Sequence, residues 1–245
     1  MTEPAARPVG MAAMTEVFDA VYRGESPFGE RPPWDTGGPQ PAFVALEEAG
    51  LISGAVLDSG CGSGENALHL ALKGHSVTGL DLAPTAIAIA RDRARERGLE
   101  AAFDVADALD LAGYEGRFDT VVDCGLAHTF DPDQLRSYAA ELHRSCRPGA
   151  LVHVLVISDR GSTVMQARLA EAIEGMPAST PDAGTDADGA ESAPPGPQRS
   201  IDDLRKGFAD GWTVESLTDA TMHGLLPSAS EPFDIPAWLG RFRRV

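Results

Sequence analysis

The chain has 245 residues, of which 43% are apolar and 23% charged, a composition that suits one large α/β domain. Its 37 acidic and 20 basic residues give a formal net charge of -17, which should repel nucleic-acid backbones and anionic lipid surfaces. We therefore expect neither nucleic acid nor a membrane as a partner. The three cysteines and six histidines show no metal-ligand spacing, and nothing resembles an export signal. These features predict a cytoplasmic protein without a metal, and they leave its oligomeric state open.

The first 50 residues predict an N-terminal cap. Apolar spacing indicates a helix over Thr15–Tyr22, and a second helix is expected over Pro41–Ala49. The Pro/Gly-rich loop Gly24–Gly38 joins them and carries Trp34. This tryptophan is a candidate for closing over a ligand, and the alternative is a core anchor for the cap.

Short apolar runs alternate with helical periods after the cap, which is typical of a parallel α/β sheet. The predicted strands are Ala55–Asp58, Ser76–Leu80, Ala101–Val105, Phe118–Asp123, Leu151–Ile157, Trp212–Leu217 and Ala237–Arg243. The predicted helices are Glu65–Lys73, Pro84–Arg97, Pro132–Cys146 and Ile201–Phe208. Residues 51–245 therefore form one domain, with a flexible insertion at 175–199 that is either an active-site lid or a passive loop.

A glycine-rich turn joins the first strand of this domain to the next helix. The sequence VLDSGCGSGEN places glycines at Gly60, Gly62 and Gly64, so a ligand can lie against the bare backbone beside the unpaired N–H groups of the helix. The dinucleotide pattern Gly-x-Gly-x-x-Gly would require a glycine at Glu65. A nicotinamide cofactor is therefore less favoured.

An acidic residue lies near the end of each of the first three strands. Asp58 is suited to an ammonium group, with capping of the turn as the alternative, and it would repel a pyrophosphate. Asp81 is placed where a carboxylate can accept from both hydroxyls of a ribose, and Asp107 could accept from an adenine amine. One such acid is weak evidence, since acids often end strands facing water, but three in succession indicate a nucleoside-like cofactor with a cationic end.

These motifs resemble those of the class I S-adenosylmethionine-dependent methyltransferases, over about Leu51 to Ser158 and the terminal strands. The resemblance implies a Rossmann-like, seven-stranded and mostly parallel sheet, with helices on both faces and an antiparallel last strand. It implies a cofactor, S-adenosylmethionine, whose methyl passes to an acceptor by in-line displacement. The expected cofactor-binding residues are Trp34, Asp58, Gly60, Cys61, Gly62, Gly64, Asp81, Leu82, Asp107, Ala108, Asp123 and Cys124.

The loop after the fourth strand points toward the acceptor. It carries His128 in a stretch similar to one in the thiopurine, tellurite-resistance and heterocyclic-toxin methyltransferases, whose early Trp-Asp element is also similar to Trp34-Asp35. His128 is the predicted catalytic residue, as a general base, with a pocket wall or a structural histidine as alternatives. We expect a small-molecule acceptor, a thiol or heteroaromatic ring methylated on sulfur, nitrogen or oxygen. The competing hypotheses are an NAD(P)-dependent oxidoreductase and a catalytically silent cofactor-binding protein.

Overall fold

The computed structural model describes residues 9–25, 31–174, 198–226, 229 and 231–245. Its strands are β1 (Ala55–Ser59), β2 (Ser76–Asp81), β3 (Ala102–Val105), β4 (Phe118–Cys124), β5 (Cys146–Ile157), β6 (Trp212–Gly224) and β7 (Phe233–Arg244). Its α-helices are α1 (Val9–Tyr22), α2 (Pro41–Glu48), α3 (Glu65–Leu72), α4 (Pro84–Arg97), α5 (Pro132–Ser145), α6 (Asp159–Glu174) and α7 (Ile201–Gly207). One short 3-10 turn covers Ala127–Thr129.

The seven strands form one sheet in the order β3-β2-β1-β4-β5-β7-β6. Strands β1 to β5 pair in parallel, whereas β7 lies between β5 and β6 and is antiparallel to both. This topology confirms the predicted sheet and its antiparallel last strand. The strand order reverses between β1 and β4, and in such sheets a crevice opens beyond the carboxyl ends of the strands at that point.

Helices cover both faces of the sheet, which explains why the central strand β5 is almost continuously apolar. Val152, Val154 and Val156 pack into the buried cluster that includes side chains of α5 and α7. Leu155 and Ile157 point to the opposite face and join side chains of α2, α3 and α4. Within the described residues, no helix is long and apolar enough to cross a membrane.

Helix α1 begins at Val9, earlier than the predicted Thr15, and packs against the start of α4. The carboxylate of Asp19 accepts from the backbone N–H of Thr85 at 2.7 Å, in the first turn of α4. Arg23, one turn later in the chain, forms an ion pair with the same carboxylate at 2.5 Å. The cap is thus attached to a helix that begins beside the carboxyl ends of the strands.

The structure corrects the predicted secondary structure in further places. No element was predicted over Asp159–Glu174, where the structure has α6. The missed signal is Ser158, whose hydroxyl accepts from the N–H of Gly161 at 3.0 Å and caps the helix. The predicted strands β6 and β7 were also too short. Their hairpin continues to the pair Gly224–Phe233, but the polar residues and Pro236 in this part interrupt the apolar pattern that predicts a strand. Pro236 is tolerated because the last residue pair between β5 and β7 is Ile157–Ala237. At Pro236 the side of β7 that faces β5 therefore needs no backbone N–H donor. The predicted insertion lies outside the described residues except for its last two, 198 and 199.

Candidate active site

The glycine turn lies at the carboxyl ends of β1 and β2. Gly60, Gly62 and Gly64 have φ angles of +70°, +53° and +89°, the left-handed region that other residues rarely adopt. The backbone N–H groups of Gly60 and Cys61 donate to the carbonyl of Leu80 at 2.8 and 2.9 Å, which fixes the turn to β2. The turn is therefore a rigid cradle at the crevice.

Asp58 is completely buried at the end of β1. Its Oδ2 accepts from the N–H of Ala67 at 3.0 Å, whereas its Oδ1 is buried without a hydrogen-bond partner among the described residues. Burial raises the pKa of this carboxyl to about 7, and the nearby acids Asp123 and Asp81 add to the shift. A buried oxygen without a donor is costly, so this position fits a cationic or hydrogen-bonding ligand group.

Asp81 at the end of β2 is held in place by the turn. Its Oδ2 accepts from the N–H of Gly62 at 2.8 Å, and its Oδ1 accepts from the N–H of Ala83 at 2.9 Å. Burial raises its pKa above the usual range. Each carboxylate oxygen has a second lone pair, so Asp81 can still accept from a ligand. The neighbouring Leu82 is half-buried on the same loop.

Asp107 and Ala108 follow β3 and are half-buried. The Oδ1 of Asp107 accepts from the N–H of Leu109 at 2.9 Å, so this side chain stabilises its own turn. Its predicted contact with an adenine amine would use the other oxygen.

Asp123 and Cys124 end β4, and Asp123 is fully buried. Its carboxylate accepts from the hydroxyl of Tyr138 at 2.9 Å and from the N–H groups of Leu126 and Ala127. Because protein donors occupy both of its oxygens, Asp123 shapes the loop that carries His128, and its predicted cofactor contact stays a prediction. Burial, Asp123 and Asp58 raise the pKa of the Cys124 thiol well above its usual range.

The cap covers the glycine turn through two aromatic residues. The indole Nε1 of Trp34 donates to the hydroxyl of Tyr22 at 2.7 Å, and the two rings meet edge to face. Trp34 remains 41% exposed, so it is not a core anchor. The buried Tyr22 hydroxyl is only 2.3 Å from the position that a Cβ at Gly62 would take, and sequence reasoning did not single out this tyrosine.

A buried ion network attaches the cap loop to the turn. The carboxylate of Asp35 accepts from the hydroxyl of Ser63 and from the guanidinium of Arg93, both at 2.8 Å. Arg93 also pairs with Glu65 at 2.9 Å. These residues are distant in sequence, and nothing in their spacing indicated the network. It holds the loop of Trp34 above the crevice.

His128 lies on the short 3-10 turn that follows β4. Its Nδ1 accepts from the backbone N–H of Ile157 at 3.2 Å, so in the neutral ring the hydrogen is on Nε2. Burial and the charge of Arg199 lower its pKa to about 3. This state makes His128 a hydrogen-bond donor or a wall rather than a ready base, and its catalytic role stays a prediction. Among the described residues, no group of His, Cys, Asp and Glu side chains is arranged to hold a metal ion.

Comparison with known proteins identifies the family. Residues 56–149 match the family model described as "Methyltransferase domain". An uncharacterized methyltransferase of Schizosaccharomyces pombe, C1348.04, is 32% identical over 46% of this chain and 79% of that protein. The chain belongs to the S-adenosylmethionine-dependent methyltransferases.

Two further relatives extend the comparison. The 2-heptyl-1-hydroxyquinolin-4(1H)-one methyltransferase of Mycobacteroides abscessus is 45% identical over 58% of this chain, and the match spans 64% of that protein, less than two thirds of its length. A solved structure described as "Conversion of a Disulfide Bond into a Thioacetal Group during Echinomycin Biosynthesis" is 66% identical, with a TM-score of 0.84. That match covers 94% of this chain and 93% of the other.

The site of this methyltransferase fits its cofactor. S-adenosylmethionine has an ammonium group, a ribose and a cationic sulfur, and the crevice offers the unpartnered Oδ1 of Asp58, the oriented carboxylate of Asp81 and a left-handed glycine turn. The predicted roles of Asp58 with the methionine portion and of Asp81 with the ribose agree with these features. The individual contacts stay predictions. Tyr22 is the residue that sequence reasoning missed at this site.

Proposed function

We propose that this methyltransferase acts on a small molecule and methylates sulfur, converting a disulfide bond of its acceptor into a thioacetal. The observation that carries the proposal is the 66% identity, over 94% of this chain, to the structure described by that conversion. The overall acidic charge also argues against a nucleic-acid acceptor.

The proposed reaction balances without an oxidant or a reductant. One disulfide sulfur gains the methyl group, and a carbon attached to that sulfur loses a proton. The bond between the two sulfurs breaks, and the second sulfur becomes bonded to that carbon. The products are a thioacetal, one proton and the demethylated cofactor.

The cofactor supplies a methyl group on a positively charged sulfur, which is already an activated electrophile. This chain's own residues have to hold the reacting groups in line and exclude water, an effect that can contribute about 7 to 11 kcal/mol. Asp58 and Asp81 bind and orient the cofactor in this proposal. The cap residues Tyr22 and Trp34 cover it, and His128 bounds the acceptor.

A second candidate acceptor is an aromatic N-hydroxyl or ring hydroxyl. It is favoured by the 45% identity to a methyltransferase named for a hydroxyquinolinone. In that reaction an oxygen attacks the methyl carbon directly and no carbon–hydrogen bond breaks.

An acceptor panel distinguishes the two candidates. The purified protein is incubated with methyl-labelled cofactor and three acceptors, namely a cyclic peptide with one cross-ring cystine, its reduced dithiol and a 2-alkyl-1-hydroxyquinolin-4-one. We expect the disulfide peptide alone to give a product with one added methyl and the NMR signal of a proton on a carbon between two sulfurs. Methylation of only the quinolinone or of only the dithiol would contradict the thioacetal proposal.

A further inference from the structure

Arg199 is a half-buried arginine beside His128, and neither the cofactor site nor the fold accounts for its charge. It follows the segment 175–197 and is fixed to the carboxyl end of β5, where its backbone N–H donates to the carbonyl of Ile157 at 2.9 Å. The N–H of the same Ile157 donates to His128. Ile157, at the end of a central strand, therefore fixes the backbone of Arg199 and the side chain of His128 next to each other.

The guanidinium of Arg199 has no carboxylate partner within ion-pair distance among the described residues. Its Nη1 donates to the carbonyl of Gln198 at 3.0 Å, and its Nε is buried without a partner there. The acids whose charges it senses are Asp203 and Asp131. Both are already used in capping helices, Asp131 at the start of α5 and Asp203 in the first turn of α7.

Burial lowers the pKa of Arg199, yet an arginine remains charged at neutral pH. An arginine placed partly out of water without a carboxylate is unfavourable unless it meets another acceptor. His128 does not provide one, since its Nδ1 is occupied and its Nε2 carries the hydrogen. The free polar groups of both side chains, the Nε2–H of His128 and the N–H groups of Arg199, are therefore hydrogen-bond donors, and neither side chain can accept from the other.

The apolar side chain of Met222, which is buried, lies on the same side of Gly125 as the His128 ring. A Cβ built at Gly125 would be 3.2 Å from the His128 ring and 3.9 Å from the terminal methyl of Met222. Polar donors beside an apolar wall are typical of a pocket that orients a ligand through one or two oxygen atoms.

We propose that Arg199, together with the Nε2–H of His128, binds a carbonyl oxygen of the acceptor and thereby orients the atom that is methylated. The inference rests on the proposed function for the disulfide peptide, in which the carbonyl is that of a half-cystine. The quinolinone of the second candidate presents the same chemistry through its 4-oxo group. Arg199 is thus a residue that determines acceptor specificity, and it has no part in binding the cofactor.

The test compares matched acceptors. The cyclic cystine peptide is paired with an analogue in which the amide after each half-cystine is replaced by an E-alkene, so that the disulfide stays and the carbonyl is lost. Initial rates are measured with R199Q, R199K and the control R205Q. Arg205 is exposed, one turn along α7, and pairs with Asp202 at 2.8 Å.

We expect R199Q to lower kcat/KM at least about tenfold for the parent peptide, as loss of a hydrogen bond to a charged group predicts, and to change it little for the alkene analogue. R199K should lose less than R199Q, and R205Q should behave as the wild type. Calorimetric binding of S-adenosylhomocysteine should be unchanged in all three variants. An equal loss on both peptides, or no loss on the parent peptide, would overturn the assignment.

The role of Arg199 can still be tested if the thioacetal proposal fails. In that case the wild type does not turn over the parent peptide, and the same variants are compared on the 1-hydroxyquinolin-4-one and on quinoline N-oxide, which keeps the acceptor oxygen on the ring nitrogen and lacks the 4-oxo group. A selective loss on the 4-oxo compound would support the role of Arg199 while the disulfide acceptor is abandoned. A wild type that binds none of the four acceptors would overturn both proposals.

Discussion

Replacing Asp58 by asparagine tests how the crevice recognises the cofactor's ammonium group. The carboxyl is completely buried, one of its oxygens has no partner among the described residues, and its pKa is raised to about 7. Below pH 7 the side chain is therefore largely neutral in the free protein. Binding an ammonium favours the ionised form, so the complex forms with release of a proton and affinity rises with pH.

The size of this pH effect on affinity follows from the fraction of the free protein in which Asp58 is ionised. With a free pKa of about 7 and a much lower pKa in the complex, affinity should be about eightfold higher at pH 7.5 than at pH 6, and should level off above that. The same shift has the opposite sign for the free protein's stability. In the unfolded chain this carboxyl ionises at a lower pH than in the folded protein. The contribution of Asp58 to the free energy of unfolding therefore decreases as the pH rises from about 4 to about 7.

The assay is calorimetric titration with S-adenosylhomocysteine, which keeps the ammonium group but has a neutral sulfur. Titrations at pH 6 and 7.5, in buffers of different ionisation enthalpy, give both affinity and proton release. The variant Asp58→Asn should bind weakly and with no pH dependence. The variant Asp110→Asn, at an exposed acid, should match the wild type. The reasoning is refuted if the pH dependence persists in Asp58→Asn, because another group, such as Asp123, would then be its source.

Three further substitutions test the rest of the site. Asp81→Ala should weaken S-adenosylhomocysteine binding more than about tenfold through lost hydrogen bonds, and unchanged calorimetric affinity in a folded variant would remove the ribose assignment. Gly62→Val should abolish that binding, because its side chain would collide with the Tyr22 hydroxyl at a left-handed φ, and normal binding with an unaltered circular dichroism spectrum would contradict this. His128→Asn should lower kcat equally for acceptors of low and high pKa, as expected for a donor or wall, and a loss that grows with acceptor pKa would instead show a general base.

The local patterns of the sequence were sufficient for the framework and for the cofactor turn. Strands β1 to β5 are short apolar runs between helices with clear start and stop signals, so periodicity located them to within a few residues, except that β5 starts at Cys146, five residues before the predicted start. The glycines at 60, 62 and 64 and the acids at 58 and 81 lie next to strand ends in the chain, so their proximity could be predicted before the fold was known.

What the sequence could not indicate depends on contacts between distant segments. Tyr22 appeared as one position in an amphipathic helix, and only the packing of α1 places its hydroxyl against Gly62, 40 residues later. The pairing of Asp35 with Arg93 joins residues separated by 58 positions. Arg199 follows a stretch with little to bury, and its importance comes from the two hydrogen bonds at Ile157 that bring it to His128. No spacing rule links such residues.

The acids that suit a cationic cofactor also raise the pKa of the thiols near the crevice. Burial raises the pKa of Cys61, and the charges of Asp58 and Asp81 raise it further. Cys124 is affected in the same way by burial, Asp123 and Asp58. A thiolate, not a thiol, attacks a disulfide, so both cysteines are held in the unreactive form. For the proposed acceptor this matters directly, because a thiolate beside the site would open the disulfide before its sulfur could be methylated. These buried acids therefore favour the cationic methyl donor and, for the acceptor that we propose, protect its disulfide bond from attack by a thiolate.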